Sequence, residues 1–245
     1  MSRDYGRIGK IIKELQPLDE YQAYYLKDTI PCKRIGPLVP PIPGILRNTF
    51  RGCRRVLDVG CGNGHTLLDY ADVFESGVGV DDGEYMLASA RSSKADRDIR
   101  NVEFAHGKAI SLPFQNASFD FVFSERGPLG HHDGTLAEAL RVLPKGGLIF
   151  VETGGNFDTL QVEKARFEGQ GVEIQIAATF TEKLVFPDCY EFFRHYCVSW
   201  CSYGAARAMQ ATDRTAIDKV LADATDADGL LCFHWSRILI GGRKT

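Results

Sequence analysis

Val56-Leu57-Asp58-Val59-Gly60-Cys61-Gly62-Asn63-Gly64 is the stretch that decides the fold. An apolar run carrying one acid enters three glycines, and a helical pattern follows to about Phe74. Glycine permits positive φ and lets a ligand approach bare backbone. A helix start adds free N–H groups and the positive end of its dipole. That geometry suits a nucleotide-like or carboxylate-bearing ligand. Asp81 closes the next strand, where a carboxylate can accept from both hydroxyls of a ribose. An adenosine-type ligand at the carboxyl ends of the strands is therefore implied.

The spacing bears on which ligand. Dinucleotide binders use GxGxxG; here His65 stands in the third glycine's place, and Gly64 comes one position early. Asp58 lies two places before Gly60 and would repel a pyrophosphate but attract a cationic amino group. Both features favour a methionine-bearing nucleoside over NAD(P), whose use in an oxidoreductase is an alternative. A glycine triplet alone also fits an unrelated tight turn.

Outward from the turn, strands and helices alternate. Val78–Asp81, Val102–His106, Phe119–Ser124 and Leu148–Glu152 read as strands; Glu84–Ser92 and Gly134–Leu143 read as helices. A helix near Leu160–Glu168, a strand over Val172–Phe180 and a last strand over Phe233–Gly241 follow. The expectation is an α/β fold with a doubly wound, mainly parallel seven-stranded sheet. Residues 1–50 read as a helical and proline-rich lid segment, with helices near Ile8–Gln16 and Asp19–Leu26. The prolines between Pro37 and Pro43 argue against regular structure there. Residues 51–245 read as the main domain, with a helical, cap-like insertion at about 182–231.

Four stretches resemble, in order, the motifs of class I S-adenosylmethionine-dependent methyltransferases, in particular the group related to ubiquinone-biosynthesis methyltransferases. They are VLDVGCGNG, GVDDGEYMLASA (Gly79–Ala90), NVEFAHGKAISLPFQNASFDFVFS (Asn101–Ser124) and EALRVLPKGGLIFVET (Glu138–Thr153). The tail, FPDCYEFFRHYCVSW and RILIGGRK, is similar to bacterial members of unassigned substrate. The resemblance implies a Rossmann-like methyltransferase fold and S-adenosylmethionine as cofactor. It implies that Asp58, Gly60, Cys61 and Gly62 line the methionine end and that Asp81 holds the ribose. Asp82 and Met86 would flank the adenine, Lys108 and Ala109 would border its other side, and Ser124 and Glu125 would close the site. Lys108 stands where the family has an acid, so the adenine amino contact would pass to backbone atoms. The Pro144-Lys145 order, reversed from the family's, reads as a turn variation.

Methyl transfer from a sulfonium destroys charge in an in-line displacement, so alignment and dryness matter more than a base. SERGPLGHH leaves the fourth strand where an acceptor would sit. His131, His132 and Glu125 are the candidate catalytic groups if the acceptor must lose a proton. Solvated loop histidines are the plainer reading. Arg126 could anchor an acidic acceptor or pair with Glu125. Tyr21, Tyr24 and Tyr25, and Phe192, Phe193, Tyr196 and Trp200, read as packing residues or pocket lining.

A net charge of −3 gives no global pull toward nucleic acid or anionic membrane. The run Arg47, Arg51, Arg54, Arg55 reads as solvated surface. A small-molecule acceptor enclosed by residues 1–50 and the insertion is the expectation. RNA as acceptor, and a non-catalytic scaffold or sensor, are the alternatives. No apolar run is long enough to span a bilayer, and the opening MSRDYGRIGK has no signal-peptide core. Seven scattered cysteines without a CxxC pair fit free thiols in a cytoplasmic setting. Cys197, Cys201 and His195 are too few for a metal site, so none is expected. Nothing in the chain sets an oligomeric state.

Overall fold

The computed structural model describes residues 4–17, 30–35, 42–130, 133–155, 157–199 and 203–245. In chain order the first elements are α1 (Tyr5–Leu15), β1 (Lys33–Ile35), α2 (Ile42–Phe50), β2 (Arg55–Val59), α3 (His65–Asp69) and β3 (Ser76–Asp81). Then come α4 (Glu84–Asp96), β4 (Val102–His106), β5 (Phe121–Glu125), α5 (Asp133–Arg141), β6 (Leu148–Gly154) and α6 (Phe157–Gly169). The last are β7 (Val172–Val185), α7 (Cys189–Val198), α8 (Tyr203–Ala208), α9 (Arg214–Ala224) and β8 (Cys232–Lys244). The chain divides into two compact units: Met1–Val39 with Thr181–Trp235, and Pro40–Phe180 with Ser236–Thr245.

The larger unit carries seven strands in the order β7-β8-β6-β5-β2-β3-β4. Strands β2 to β6 pair in parallel, and β8 runs antiparallel to β6. Val56, Leu57, Val59, Val122 and Val151 are fully buried, as strands with helices on both faces require. The order reverses direction between β2 and β5, the kind of switch point at whose carboxyl ends open α/β sheets place ligands. The doubly wound, mainly parallel sheet expected from the alternation is the observed architecture.

Three local readings need correction. The segment 37–43 was expected to be irregular, yet α2 runs from Ile42 through Pro43. A proline in the first helical turn loses no intrahelical hydrogen bond and brings a helix-compatible φ. The helix after the glycine turn stops at Asp69 rather than near Phe74. Asn101 Nδ2 takes the carbonyls of Ala71 (2.8 Å) and Phe74 (3.1 Å), and Arg97 Nη2 takes that of Leu68 (2.8 Å). Side chains from other elements thus replace the missing helical amides. Strand β7 continues beyond Phe180 to Val185, where Glu182 and Lys183 hide the alternation.

In the smaller unit, Lys33–Ile35 pairs antiparallel with that extension, Lys33 opposite Val185. The expected helix at Asp19–Leu26 and its tyrosines lie outside the described residues. Helix α1 buries Ile8, Gly9 and Ile12, and α7 buries Phe192, Phe193 and Cys197 in one apolar cluster. The Phe192–Phe193 ring centroids are 5.7 Å apart and the Phe192–Tyr196 centroids 6.0 Å. The aromatic repeat of α7 therefore fills a core. Between β7 and β8 the described elements are all helices, α7 to α9.

Phe50 joins α2 to the sheet. Its ring lies 5.1–5.7 Å from those of Tyr70, Phe74, Phe121 and Phe123, and it is wholly buried. Phe50→Ala should cost about 3–5 kcal/mol of folding stability, with Phe50→Leu much milder. Urea unfolding of both variants measures this; equal midpoints for Ala and wild type would mean that the ring is not part of the core.

Candidate functional site

The site is built at the carboxyl ends of β2, β3 and β5 in the larger unit. Gly60, Gly62 and Gly64 all have positive φ, +77°, +52° and +73°. A Cβ at Gly60 would strike the Pro128 ring, so glycine is required there by space as well as by φ. The Gly60 and Cys61 N–H groups both donate to the Val80 carbonyl, at 2.8 and 3.1 Å, which folds the turn back over β3. Helix α3 is only five residues long, so backbone amides contribute more here than the helix dipole that the sequence suggested.

Asp81 organises this end of the sheet. Gly62 N–H donates to its Oδ2 at 2.9 Å and Gly83 N–H to its Oδ1 at 2.8 Å. Each oxygen keeps a lone pair for a further donor such as a ribose hydroxyl. Gly107 N–H donates to the Asp81 carbonyl at 3.0 Å, so the turn after β4 is tied to the same residue.

Asp58 is 3% exposed. Burial pushes its carboxyl well above the usual range, and the charges of Glu125 and Asp81 push it further. The Cys61 thiol is driven up by burial, then by Asp58 and Asp81. This cluster favours a cation: a positive group among the three carboxylates would relieve their mutual repulsion.

The structure brings Asp58, Gly60, Cys61, Gly62, Asp81 and Met86 together; a Cβ on Gly62 would lie 3.2 Å from Met86 Cε. Asp82 follows Asp81 on an exposed turn. Lys108 is exposed and pairs with Ser111 in an isolated bridge, while Ala109 packs partly against the core. Ser124 is fully buried, and its hydroxyl donates to the Val59 carbonyl at 2.7 Å, tying β5 to β2. Half-buried Glu125 accepts from Thr66 Oγ1 at 2.7 Å. His131 and His132 lie outside the described residues.

Sequence reasoning missed Glu152. It is 0% exposed at the end of β6, its Oε1 2.9 Å from Arg237 Nη1 on β8. Its register partner across β5 is Glu125. An acid directly after the apolar run Leu148–Val151, within a strand, was the available signal. Burial raises Glu152 to about 7 against the pull of Arg237, with Glu125 adding to the rise and Arg126 opposing it.

A methyltransferase-domain family model matches residues 56–147, the segment that contains the glycine turn, Asp81 and Glu125. That segment is similar to a methyltransferase domain. It is 36% identical over 91 residues to the uncharacterized methyltransferase YcgJ of Bacillus subtilis, covering 37% of this chain and 35% of that protein. It is 36% identical over 119 residues to the demethylmenaquinone methyltransferase of Lactococcus lactis, covering 46% of each. Over 135 residues it is 33% identical to the 27-O-demethylrifamycin SV methyltransferase of Amycolatopsis mediterranei, covering 50% of this chain and 48% of that one. The matched segments thus span about a third to a half of these curated relatives. The crystal structure of YcgJ superposes with a TM-score of 0.60 at 22% identity, over 82% of this chain and 97% of that one, a likeness of fold. The matched residues lie within Val56–Thr153, the stretch that carries the four motifs of the sequence resemblance.

The raised Glu152 sets a sign for pH dependence. Its native value, about 7, exceeds the ordinary 4.5, so the folded chain holds this proton where the unfolded chain has released it. Stability from this group is full below about 4.5 and is lost as pH rises toward 7. Glu152→Gln should flatten the decline of unfolding free energy across that window. Urea titrations at a series of pH values test this, and an unchanged slope would assign the proton elsewhere.

Proposed function

We propose that this protein binds S-adenosylmethionine at the glycine turn and transfers its methyl group to an oxygen or nitrogen of a small molecule. The observation that carries the reading is Asp81, fixed by the Gly62 and Gly83 amides. It pairs a ribose-binding carboxylate with the acid-rich turn at Asp58 and Glu125. Gly60, Cys61 and Gly62 offer backbone to the methionine end, with Asp58 beneath it. Met86 and Asp82 lie toward the adenine, Lys108 and Ala109 on its far side, and Ser124 and Glu125 at the end of β5. The donor supplies an electrophilic methyl on a sulfonium; these residues bind it, orient it and keep the charge of its amino group compensated.

Two relatives have names that give demethylmenaquinone and 27-O-demethylrifamycin SV as acceptors, which supports a small-molecule substrate. If that acceptor is a hydroxyl, Glu125, His131 or His132 takes its proton. Glu125 would do so through the oxygen that Thr66 leaves open.

Calorimetry with S-adenosylmethionine, NAD and NADP tests the donor. We expect saturable binding of the first alone; binding of NAD alone would replace this reading with an oxidoreductase. Asp81→Ala should weaken donor binding by about 1.5–3 kcal/mol, or roughly 10- to 150-fold, in a folded protein. Unchanged affinity would place the ribose elsewhere. Incubation of a cell extract with methyl-labelled donor then sorts the acceptor. Label in the small-molecule fraction is the expected outcome, label in RNA identifies an RNA methyltransferase, and label nowhere identifies a binding scaffold.

A further inference from the structure

Glu152 is charged machinery that donor binding, as described above, does not use. It is fully buried, and a buried ion pair is seldom a net source of stability. Two residues carry the chain out of β5 beside it. Glu125 is held to Thr66, the second residue of the helix after the glycine turn. Arg126 has φ +57°, a left-handed conformation that a non-glycine residue adopts at a cost, and its N–H donates to the Glu152 carbonyl at 2.7 Å.

The segment 126–130 then crosses the glycine turn as a strap. Its Pro128 ring occupies the space beside Gly60, and Gly127 fits against Ser124 Oγ and the Val59 carbonyl with no room for a Cβ. At its far end Gly130 lies against Thr153, the neighbour of Glu152, and Thr135 Oγ1 donates to the Pro128 carbonyl at 2.9 Å. Arg166 Nη2 donates to the Leu129 carbonyl at 2.8 Å. The charged groups that face Glu152 are Arg237 from β8, and Glu125 and Arg126 from β5 and the strap. Glu152 Oε1 pairs with Arg237, while Oε2 has no hydrogen-bond partner among the described residues. Arg237, paired with the acid from β8, and Arg126, tied to it through the backbone, are thus the two cations that act on its charge.

We infer that Glu152 is a positioning residue: by attracting Arg126 while anchored to Arg237, it holds the strap 126–130 down on the Gly60–Gly62 turn and so sets the shape of the donor site. The inference rests on the donor reading above for its consequence in binding. It does not rest on that reading for the strap itself, because the strap's contacts are made by this chain's own residues. The charge on Arg126 is what matters, since the backbone bond to Glu152 survives substitution. Asparagine tolerates the left-handed conformation and removes the charge; lysine keeps the charge.

Amide hydrogen exchange on the free protein is the first measurement, comparing wild type with Arg126→Asn, Arg126→Lys and Glu152→Gln. We expect faster exchange confined to residues 60–64 and 126–130 in Arg126→Asn and Glu152→Gln, with Arg126→Lys near wild type. Calorimetry with S-adenosylmethionine is the second. The same two variants should bind about fivefold to tenfold more weakly at pH 8. Their affinity should also lack the wild type's fall between pH 8 and 6, where Glu152 gains its proton and loses its hold. If Glu152→Gln does not fold, the Arg126 pair decides alone. Exchange unchanged in Arg126→Asn, or Asn and Lys behaving alike, overturns the inference whatever the affinity. A wild type that binds no S-adenosylmethionine overturns the donor reading instead, and exchange still decides the strap.

Discussion

One carboxylate between two backbone amides governs the working end of this molecule. Asp81 receives Gly62 N–H on one oxygen and Gly83 N–H on the other. The turn after β2 and the loop after β3 therefore cannot move independently. Charge-assisted bonds to backbone amides are stronger than neutral ones, and they are unaffected by side-chain variation at their donors. The Gly60 and Cys61 amides add two bonds to Val80 just before Asp81. The resulting turn presents backbone outward and leaves room for Pro128 across it. The strap position at Pro128 follows from this fold-back of about five residues.

That arrangement concentrates acids. Asp81 and Glu125 both act on Asp58, and Glu125 also acts on Glu152 one strand further along. Desolvation raises Asp58 and Glu152, so the site stands in some tension with stability at neutral pH. Arg237 offsets part of the cost for Glu152. The left-handed Arg126 adds backbone strain at the same place. Strain and buried charge recur together where a structure is shaped for binding rather than for stability.

The parts of the fold legible in the sequence were those set by period and by glycine. Strands buried on both faces read as apolar runs, and the turn at Gly60 advertised itself because no other residue fits against Pro128. The parts that were not legible depend on partners distant in the chain. Nothing near Tyr70 announces that Asn101 will take the carbonyls ending α3. Strand β7 looked finished at Phe180 because Glu182 and Lys183 break the apolar pattern; Lys183 is in fact satisfied by Asp226, at 2.5 Å, from forty-three residues away. Pro43 looked like a breaker because a proline's effect depends on whether it enters a helix or interrupts one. In the site, Asp58, Gly60, Gly62 and Asp81 were visible by spacing. Glu152 and Arg237 were not, because an ion pair between β6 and β8 appears only once the antiparallel register sets Glu152 opposite Leu239.

Charge also bears on the proposed choice of nucleoside at this turn. Two unit charges about 6 Å apart at an effective dielectric near 20 interact by on the order of 3 kcal/mol. A pyrophosphate brought to the Gly60 turn would set two negative charges against Asp81, Glu125 and whatever charge Asp58 retains. A sulfonium nucleoside with an amino group brings the opposite sign to the same place. Its arrival would favour the ionised form of Asp58, which burial and its neighbours now oppose. Methyl transfer removes one of those positive charges from the ligand. On the proposed donor reading, acids that attract the sulfonium form would hold its product less tightly, so the electrostatics that favour binding would also favour release.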